Sequence, residues 1–146
     1  MYRICKSFRF EAAHQLERAF SKACVKSIHG HSYKVELFLT SRCLDPDLMV
    51  VDFGVLADFI DAIKSVWDHA LILPRKLFAE FGEMPSNKTV VLEASPTAEV
   101  MASILLEGLV ETVSKIPASN RLRVEKVRVH ETETGWAECV LELEEE

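Results

Sequence analysis

Residues 29–41 alternate between apolar and polar side chains, with Phe38 the exception, and this constrains the fold more than any other stretch. Tyr33, Val35, Leu37 and Leu39 fall on one face, with Lys34, Glu36 and Thr40 on the other. A period of two is a strand with one buried and one wet face. Residues 2–13 repeat the pattern through Tyr2, Ile4, Phe8 and Phe10, with Lys6 interrupting it. Sheets that are wet on one side are antiparallel as a rule. The two stretches are therefore expected to pair as a hairpin, joined by residues 15–28, which lack a clean period and read as a loop.

Downstream the period changes. Asp52 is a good N-cap, and Val55, Leu56, Phe59, Ile60 and Ile63 form an apolar stripe at helical spacing, so 53–66 is predicted to be a helix. Residues 69–73 are a short apolar piece without alternation. The stretch 74–90, with Pro74, Gly82 and Pro85, reads as loop, with room for a helical turn around KLFAEF, and VVLEA reads as a short strand. Ser95 as N-cap and Pro96 at the first helical position predict a second helix to about Lys115, with Met101, Ile104, Leu105 and Leu109 inward. Residues 121–131 and 136–143 read as strands joined at Glu133-Thr134-Gly135, and the apolar phase shift between Val124 and Val127 predicts a bulge near Glu125-Lys126. The order strand, strand, helix, helix, strand, strand gives an α+β fold: one antiparallel sheet with both helices on one face. At 146 residues the chain suits a single domain over 1–146.

Composition narrows the function classes. A net charge of −6 argues against nucleic acid, whose phosphates need a basic face. No apolar run is long enough for a membrane span, and the start lacks the apolar block of a signal peptide, so the cytoplasm is the expected location. The four cysteines form no CxxC pair. Cys5, Cys43 and Cys139 read as plain strand or strand-end residues.

The candidate chemistry lies at strand ends. In His29-Gly30-His31 the two imidazoles share one strand face and can converge on an ion, and Gly30 leaves room on the other face. His14 ends the first strand and lies beside them if the hairpin forms. Three neutral nitrogen ligands with an open fourth position are the pattern of catalytic Zn²⁺. Cys24, near Lys22 and Lys26 and just before the HGH strand, is a candidate fourth ligand, nucleophile or proton acceptor. Asp68 beside His69 can fix a tautomer and raise its basicity, provided that the chain turns there. Glu131, at the end of a strand, can accept two parallel hydrogen bonds from a flat N–H/NH₂ edge, such as that of a pterin or guanine.

Taken together, FEAAHQL, Cys24 followed by HGHSYKVELFL, VVDFGVL, WDHALIL, SPTAEVMA and VRVHETETGWAEC resemble the 6-pyruvoyltetrahydropterin synthase and 6-carboxytetrahydropterin synthase family, in order, over about residues 8–140. The resemblance implies a tunnelling fold: a four-stranded antiparallel sheet with two helices on one side. Three subunits would join edge to edge into a barrel, as a homo-oligomeric trimer or hexamer, with sites between subunits. It implies that His14, His29 and His31 hold zinc, that Cys24 is the catalytic thiol, and that Asp68 and His69 relay protons. It implies further that Glu131 anchors the pterin, with Thr97 and Ala98 supplying backbone groups to the ring and Glu99 the acidic residue of that motif.

The implied substrate is 7,8-dihydroneopterin triphosphate. The implied product is 6-carboxy-5,6,7,8-tetrahydropterin, on the route to queuosine. The alternatives are the pyruvoyl product and a catalytically silent zinc- or pterin-binding protein. Four residues separate Cys24 from His29, a spacing between those usual in the bacterial carboxytetrahydropterin enzymes and in the pyruvoyl enzymes. The ET..WA motif leans toward the bacterial carboxytetrahydropterin type. Ile28 stands where a relative making a folate precursor has glutamate. Arg18, Lys22 and Lys26 are candidates for the triphosphate by charge and position.

Overall fold

A computed structural model describes residues 1–117 and 121–142. The first strand, β1 (Tyr2–His14), pairs along its whole length with β2 (His29–Ser41), antiparallel, from Tyr2 opposite Ser41 to His14 opposite His29. The predicted hairpin is therefore present. Its connection is not wholly loop: Lys22–Lys26 form a short helix, α1, tied down by Leu16 N–H donating to Cys24 carbonyl at 3.0 Å and Gln15 Nε2 donating to Val25 carbonyl at 2.6 Å.

A 3-10 turn (Phe53–Leu56) leads into α2 (Ala57–Trp67), with the Asp52 carboxylate accepting from Gly54 N–H at 2.7 Å. Then follow β3 (Ala70–Pro74), α3 (Arg75–Glu80), β4 (Thr89–Leu92), α4 (Ala98–Ser114), β5 (Leu122–His130) and β6 (Trp136–Val140). The last two strands start and end within the predicted stretches, and residue 143 lies outside the described residues.

Among the described residues the sheet has six strands in the order β4-β3-β1-β2-β5-β6, not four. Nor is it purely antiparallel, because β3 runs parallel to β1 and β4 parallel to β3. The reason is visible in β3: Ala70, Leu71, Ile72 and Leu73 are all buried. A strand buried on both faces shows no alternation and so has no period to read. Between β2 and β5 the register jumps from Phe38 opposite Lys126 to Leu39 opposite Val124, leaving Glu125 as the extra residue of the expected bulge.

The core lies between one face of the sheet and α2 with α4. Phe8, Phe10, Tyr33, Val35, Leu37, Leu39, Val124, Val127 and Val129 meet Leu56, Phe59, Ile60, Met101, Leu105 and Leu109 there. Both long helices thus cover the same face, as expected. Lys6, which breaks the alternation of β1, lays its ammonium over the Phe53 ring at 5.6 Å. Two expected inward residues are not buried: Val55 and Ile104 are more than a third exposed, and Ala102, Leu106 and Val113 are buried in α4 instead. Cys139 packs against the core, whereas Cys5 faces the open side with Glu36.

That open face carries charge. Glu36 accepts from His130 at 2.7 Å, and Glu138 pairs with Arg128 at 2.9 Å and with Lys126 at 3.1 Å.

The second helix starts later than predicted. Thr97, not Ser95, is the N-cap, and its hydroxyl oxygen accepts from Val100 N–H at 3.2 Å. Pro96 therefore precedes the helix instead of opening it. No described helix is long and apolar enough to cross a membrane.

Leu105 is fully buried in the middle of α4. Truncating Leu105→Ala should destabilise the fold by about 2–5 kcal/mol, the range for a core leucine. Urea unfolding followed by circular dichroism measures this, and a loss under ~1 kcal/mol would show that the helix is not a central packing element.

Candidate metal centre

The strand pairing brings three histidines together. His14 stands opposite His29 in the register, and His31 shares the face of His29 two residues on. Their ring nitrogens lie within 4.8 Å of one another. The rings sit edge to face, with centroids 4.5 to 5.0 Å apart. His14 is wholly buried, and the other two are partly covered.

The hydrogen bonds around the rings decide which nitrogens face inward as lone pairs. Nδ1 of His14 lies 2.8 Å from the Pro96 carbonyl, and Nδ1 of His29 lies 3.1 Å from the Ser27 carbonyl. A carbonyl only accepts, so each Nδ1 carries the proton and each Nε2 is left as an acceptor. Those two Nε2 atoms are 2.9 Å apart. Nε2 of His31 is buried with no hydrogen-bond partner. Burial pushes the pKa of both His14 and His31 below the usual histidine value, which keeps them neutral.

Two ring-nitrogen acceptors thus converge beside a third ring nitrogen, Nε2 of His31, that has no hydrogen-bond partner among the described residues. A cation satisfies such a site and a water only in part, since it has just two protons to give. The residues present therefore fit a metal ion, and neutral imidazoles suit zinc, copper, iron or nickel. The outward hydrogen bonds to Pro96 and Ser27 fix ring orientation, as is usual behind metal-ligating histidines. Tyr33 adds to this with a buried hydroxyl 3.2 Å from Nδ1 of His14.

These backbone partners were not legible in the sequence, because any residue has a carbonyl. Tyr33 was legible only as a member of the apolar stripe. Gly30 is less demanding than expected. A Cβ there would meet only the Ala12 carbonyl oxygen, at an ordinary 3.6 Å.

Glu131 also arrives at the cluster. Its Oε1 lies 3.3 Å from Nε2 of His14 and 3.4 Å from Nε2 of His31. Thr97 and Ala98 sit at the start of α4, directly after the Pro96 carbonyl that holds His14. Glu99 is exposed in the first turn.

Cys24 is half-buried within α1, close in chain to Ser27 and His29, but its thiol does not join the ligand atoms of the cluster. Arg18, Lys22 and Lys26 are exposed on the same connection.

Asp68 and His69 do contact each other, with Oδ2 3.1 Å from Nδ1. The turn this contact requires is present: Asp68 caps the end of α2 and His69 adopts a left-handed φ of 59°. Such a conformation costs a non-glycine residue about 1–2 kcal/mol, and Glu11 helps to hold it. Its N–H donates to Asp68 Oδ1 at 2.8 Å, and its carbonyl accepts from His69 N–H. That backbone donor, with His69 behind it, holds the Asp68 carboxyl below the usual range.

His69 is largely exposed and lies outside the ligand cluster. It lines a pocket of about 540 Å³ with Glu11, Ala13, Gly30, Ser32 and Pro85, and His31 of the cluster lines the same pocket. Glu11, Ala13, Gly30 and Ser32 alternate along the strands with the histidine positions.

Comparison with known proteins identifies the family. The profile of the 6-pyruvoyl tetrahydropterin synthase family matches residues 3–142. The chain belongs to that family. A 6-carboxy-5,6,7,8-tetrahydropterin synthase of Helicobacter pylori is 33% identical over 144 residues, covering 94% of this chain and 72% of the relative. The enzyme of that name from Aquifex aeolicus is 28% identical, covering 94% of this chain and 96% of its own.

Among solved structures, an uncharacterized Wolinella succinogenes protein superposes with a TM-score of 0.78 at 27% identity, covering 97% of this chain and 98% of its own. A Plasmodium vivax 6-pyruvoyltetrahydropterin synthase superposes with a TM-score of 0.72 at 20% identity, covering the same shares, and bears on the fold alone.

Metal retention should depend on pH with a definite sign. His14 and His31 are held below 6.5, so the native chain prefers them neutral. The unfolded chain takes up these protons near pH ~6.5. Metal-free stability should therefore fall as pH drops below that value, and metal affinity should fall further down, as the folded histidines themselves protonate. Dialysis from pH 8 to pH 4 followed by metal analysis tests this. Full retention throughout would speak against three-histidine ligation, as would an undiminished metal content in the His29→Ala, His31→Ala double variant.

Proposed function

We propose that this chain is a zinc-dependent lyase that converts 7,8-dihydroneopterin triphosphate to 6-carboxy-5,6,7,8-tetrahydropterin, a step toward queuosine, in the cytoplasm. The observation that carries the reading is the convergent cluster of His14, His29 and His31, with Glu131 against two of them, in a chain of this family. The curated relatives named for the carboxy product favour that product over the pyruvoyl one.

Bound zinc would supply Lewis acidity toward the hydroxyls of the substrate side chain. The chain's own residues do the rest. Glu131 accepts the N–H/NH₂ edge of the pterin, and Thr97 and Ala98 contribute backbone groups to the ring. Cys24 takes a proton from the side-chain carbon, and Asp68 orients His69 to move protons. Triphosphate leaves by elimination, and in the carboxy branch one water adds across the bond between the two oxidised side-chain carbons as that bond breaks, leaving the carboxyl on the ring and releasing acetaldehyde. Exposed Arg18, Lys22 and Lys26 meet the phosphates.

His69 lies outside the ligand cluster of its own chain, which supports a site completed between subunits. Among the described residues of one chain the sheet ends at β4 and β6, each with an unpaired edge. Unpaired edges are what a barrel of subunits would cover, so we assign a trimer or hexamer.

Zinc-loaded protein incubated with the triphosphate, with products identified by mass spectrometry, decides among the readings. The 6-carboxy product with acetaldehyde is expected. A pyruvoyl product would move the chain to the other branch, and no turnover would make it a binding protein. Cys24→Ala should keep zinc and fold while slowing single turnover by roughly 10²–10⁴, the contribution of a positioned proton acceptor. Near-normal turnover would remove Cys24 from the mechanism, and a loss of zinc would make it a ligand.

A further inference from the structure

The turn between Asp68 and His69 hangs on one peptide unit that is held at both ends. Its N–H, from His69, donates to the Glu11 carbonyl of β1. Its carbonyl, from Asp68, accepts from the Lys88 ammonium at 2.5 Å. A peptide unit is planar, so fixing both of its polar ends fixes its orientation. The bond from Lys88 carries a charge on the donor, which makes it roughly twice as strong as a neutral one.

Lys88 is itself tied down. Its N–H donates to the Ser86 hydroxyl oxygen at 3.2 Å, and its carbonyl accepts from Leu71 N–H at 2.9 Å. It stands directly before β4, whose first residue, Thr89, pairs with Leu71 of β3. The half-buried lysine thus starts from the sheet, and its side chain reaches back to the residue that caps α2.

The peptide matters because packing gives the His69 ring little help. The ring is largely exposed, and its φ of 59° is a left-handed conformation that costs a non-glycine residue energy to hold. The Asp68 carboxylate touches Nδ1 at 3.1 Å, but Asp68 is positioned by the same turn. The backbone therefore aims the ring, and Lys88 is the one side chain that grips this peptide among the described residues.

We propose that Lys88 is a positioning residue for His69. By clamping the Asp68 carbonyl it keeps the imidazole in the wall of the pocket of about 540 Å³, which Pro85 and Ser86 of its own segment also line. Lys88 acts through His69 and not on the substrate. This rests on the proton-relay reading of Asp68 and His69 above. Without the ammonium the peptide can rotate, and the imidazole leaves its place while the groups that bind the substrate stay in theirs. A misplacement of about 1 Å costs up to ~10² in rate. The loss therefore falls on kcat and not on KM.

The test measures triphosphate release by the zinc-loaded full chain in a double-mutant cycle of Lys88→Met with His69→Ala. Lys88→Met should lower kcat by about 10- to 100-fold, with KM within about twofold and zinc content unchanged. Lys88→Arg, which keeps the charge and the donors, should restore most of the rate. In the His69→Ala background Lys88→Met should cost nothing more, because the two act as one unit. An equal loss in both backgrounds would make Lys88 a general structural residue. A raised KM with kcat kept would make it a substrate contact, and an unchanged rate would leave it no role; each of these overturns the proposal.

If Lys88→Met does not fold, Lys88→Gln takes its place in the cycle, since a neutral amide keeps one weaker bond to the carbonyl and should slow turnover less. His69→Ala with wild-type turnover would instead sink the relay reading, whatever Lys88 does. The clamp has a readout apart from turnover: the amide and ring NMR signals of His69 should move in Lys88→Met and return in Lys88→Arg. Signals that stay in place in a folded Lys88→Met chain would overturn the clamp even where wild type shows no activity.

Discussion

The pairing of β1 with β2 is the constraint on which the rest depends. Both strands run thirteen residues in one register, from Tyr2 with Ser41 to His14 with His29. One face of this ribbon supplies Phe8, Phe10, Tyr33, Val35, Leu37 and Leu39 to the core and ends in the three histidines. A slip of one residue would turn every one of these side chains to the open face. The hydrophobic effect that buries the stripe against α2 and α4 thus also fixes the histidines at its end. No separate device is needed to aim them.

This end of the ribbon then gathers groups from outside it. The segment before α4 turns its Pro96 carbonyl to His14. The Ser27 carbonyl, at the end of α1, does the same for His29. Each of these bonds removes a proton from the inner side of the site. Glu131 comes in from the far hairpin, and Asp68 with His69 hang from the Glu11 backbone, at the level where β3 joins β1. The site is polar and almost entirely acceptor, next to an apolar core that offers it nothing. That imbalance makes a bound cation the natural completion of the fold at this end.

How much of this was legible in the sequence follows from how each element is buried. Strands wet on one face, β1, β2, β5 and β6, show alternation and were found, as was the bulge at Glu125. The parallel strand β3, buried on both faces, shows none. It read only as a short apolar piece, and the sheet was expected to have four strands. The start of α4 was misplaced by two residues because Ser95-Pro96 satisfies the local rule for a helix start. Thr97 satisfies it too, and the Pro96 carbonyl is needed at His14. Local capping chemistry cannot choose between two competent residues when a distant side chain decides.

The sequence by itself determined the chemistry available: three histidines at strand ends with the spacing to share a face, a carboxylate at Glu131, a thiol at Cys24, and an Asp-His pair that needs a turn. Spacing along a strand is a covalent property, so HxH convergence is fixed before folding. Only the tertiary structure decided which groups meet. It put Glu131 within 3.4 Å of two histidines and kept the Cys24 thiol and His69 out of the ligand cluster. It also committed Nδ1 of His14 and Nδ1 of His29 to backbone carbonyls. Apart from the contact of His29 with Ser27, these are distances between residues far apart in the chain. They depend on sheet order, register and where each helix begins, which no local pattern encodes.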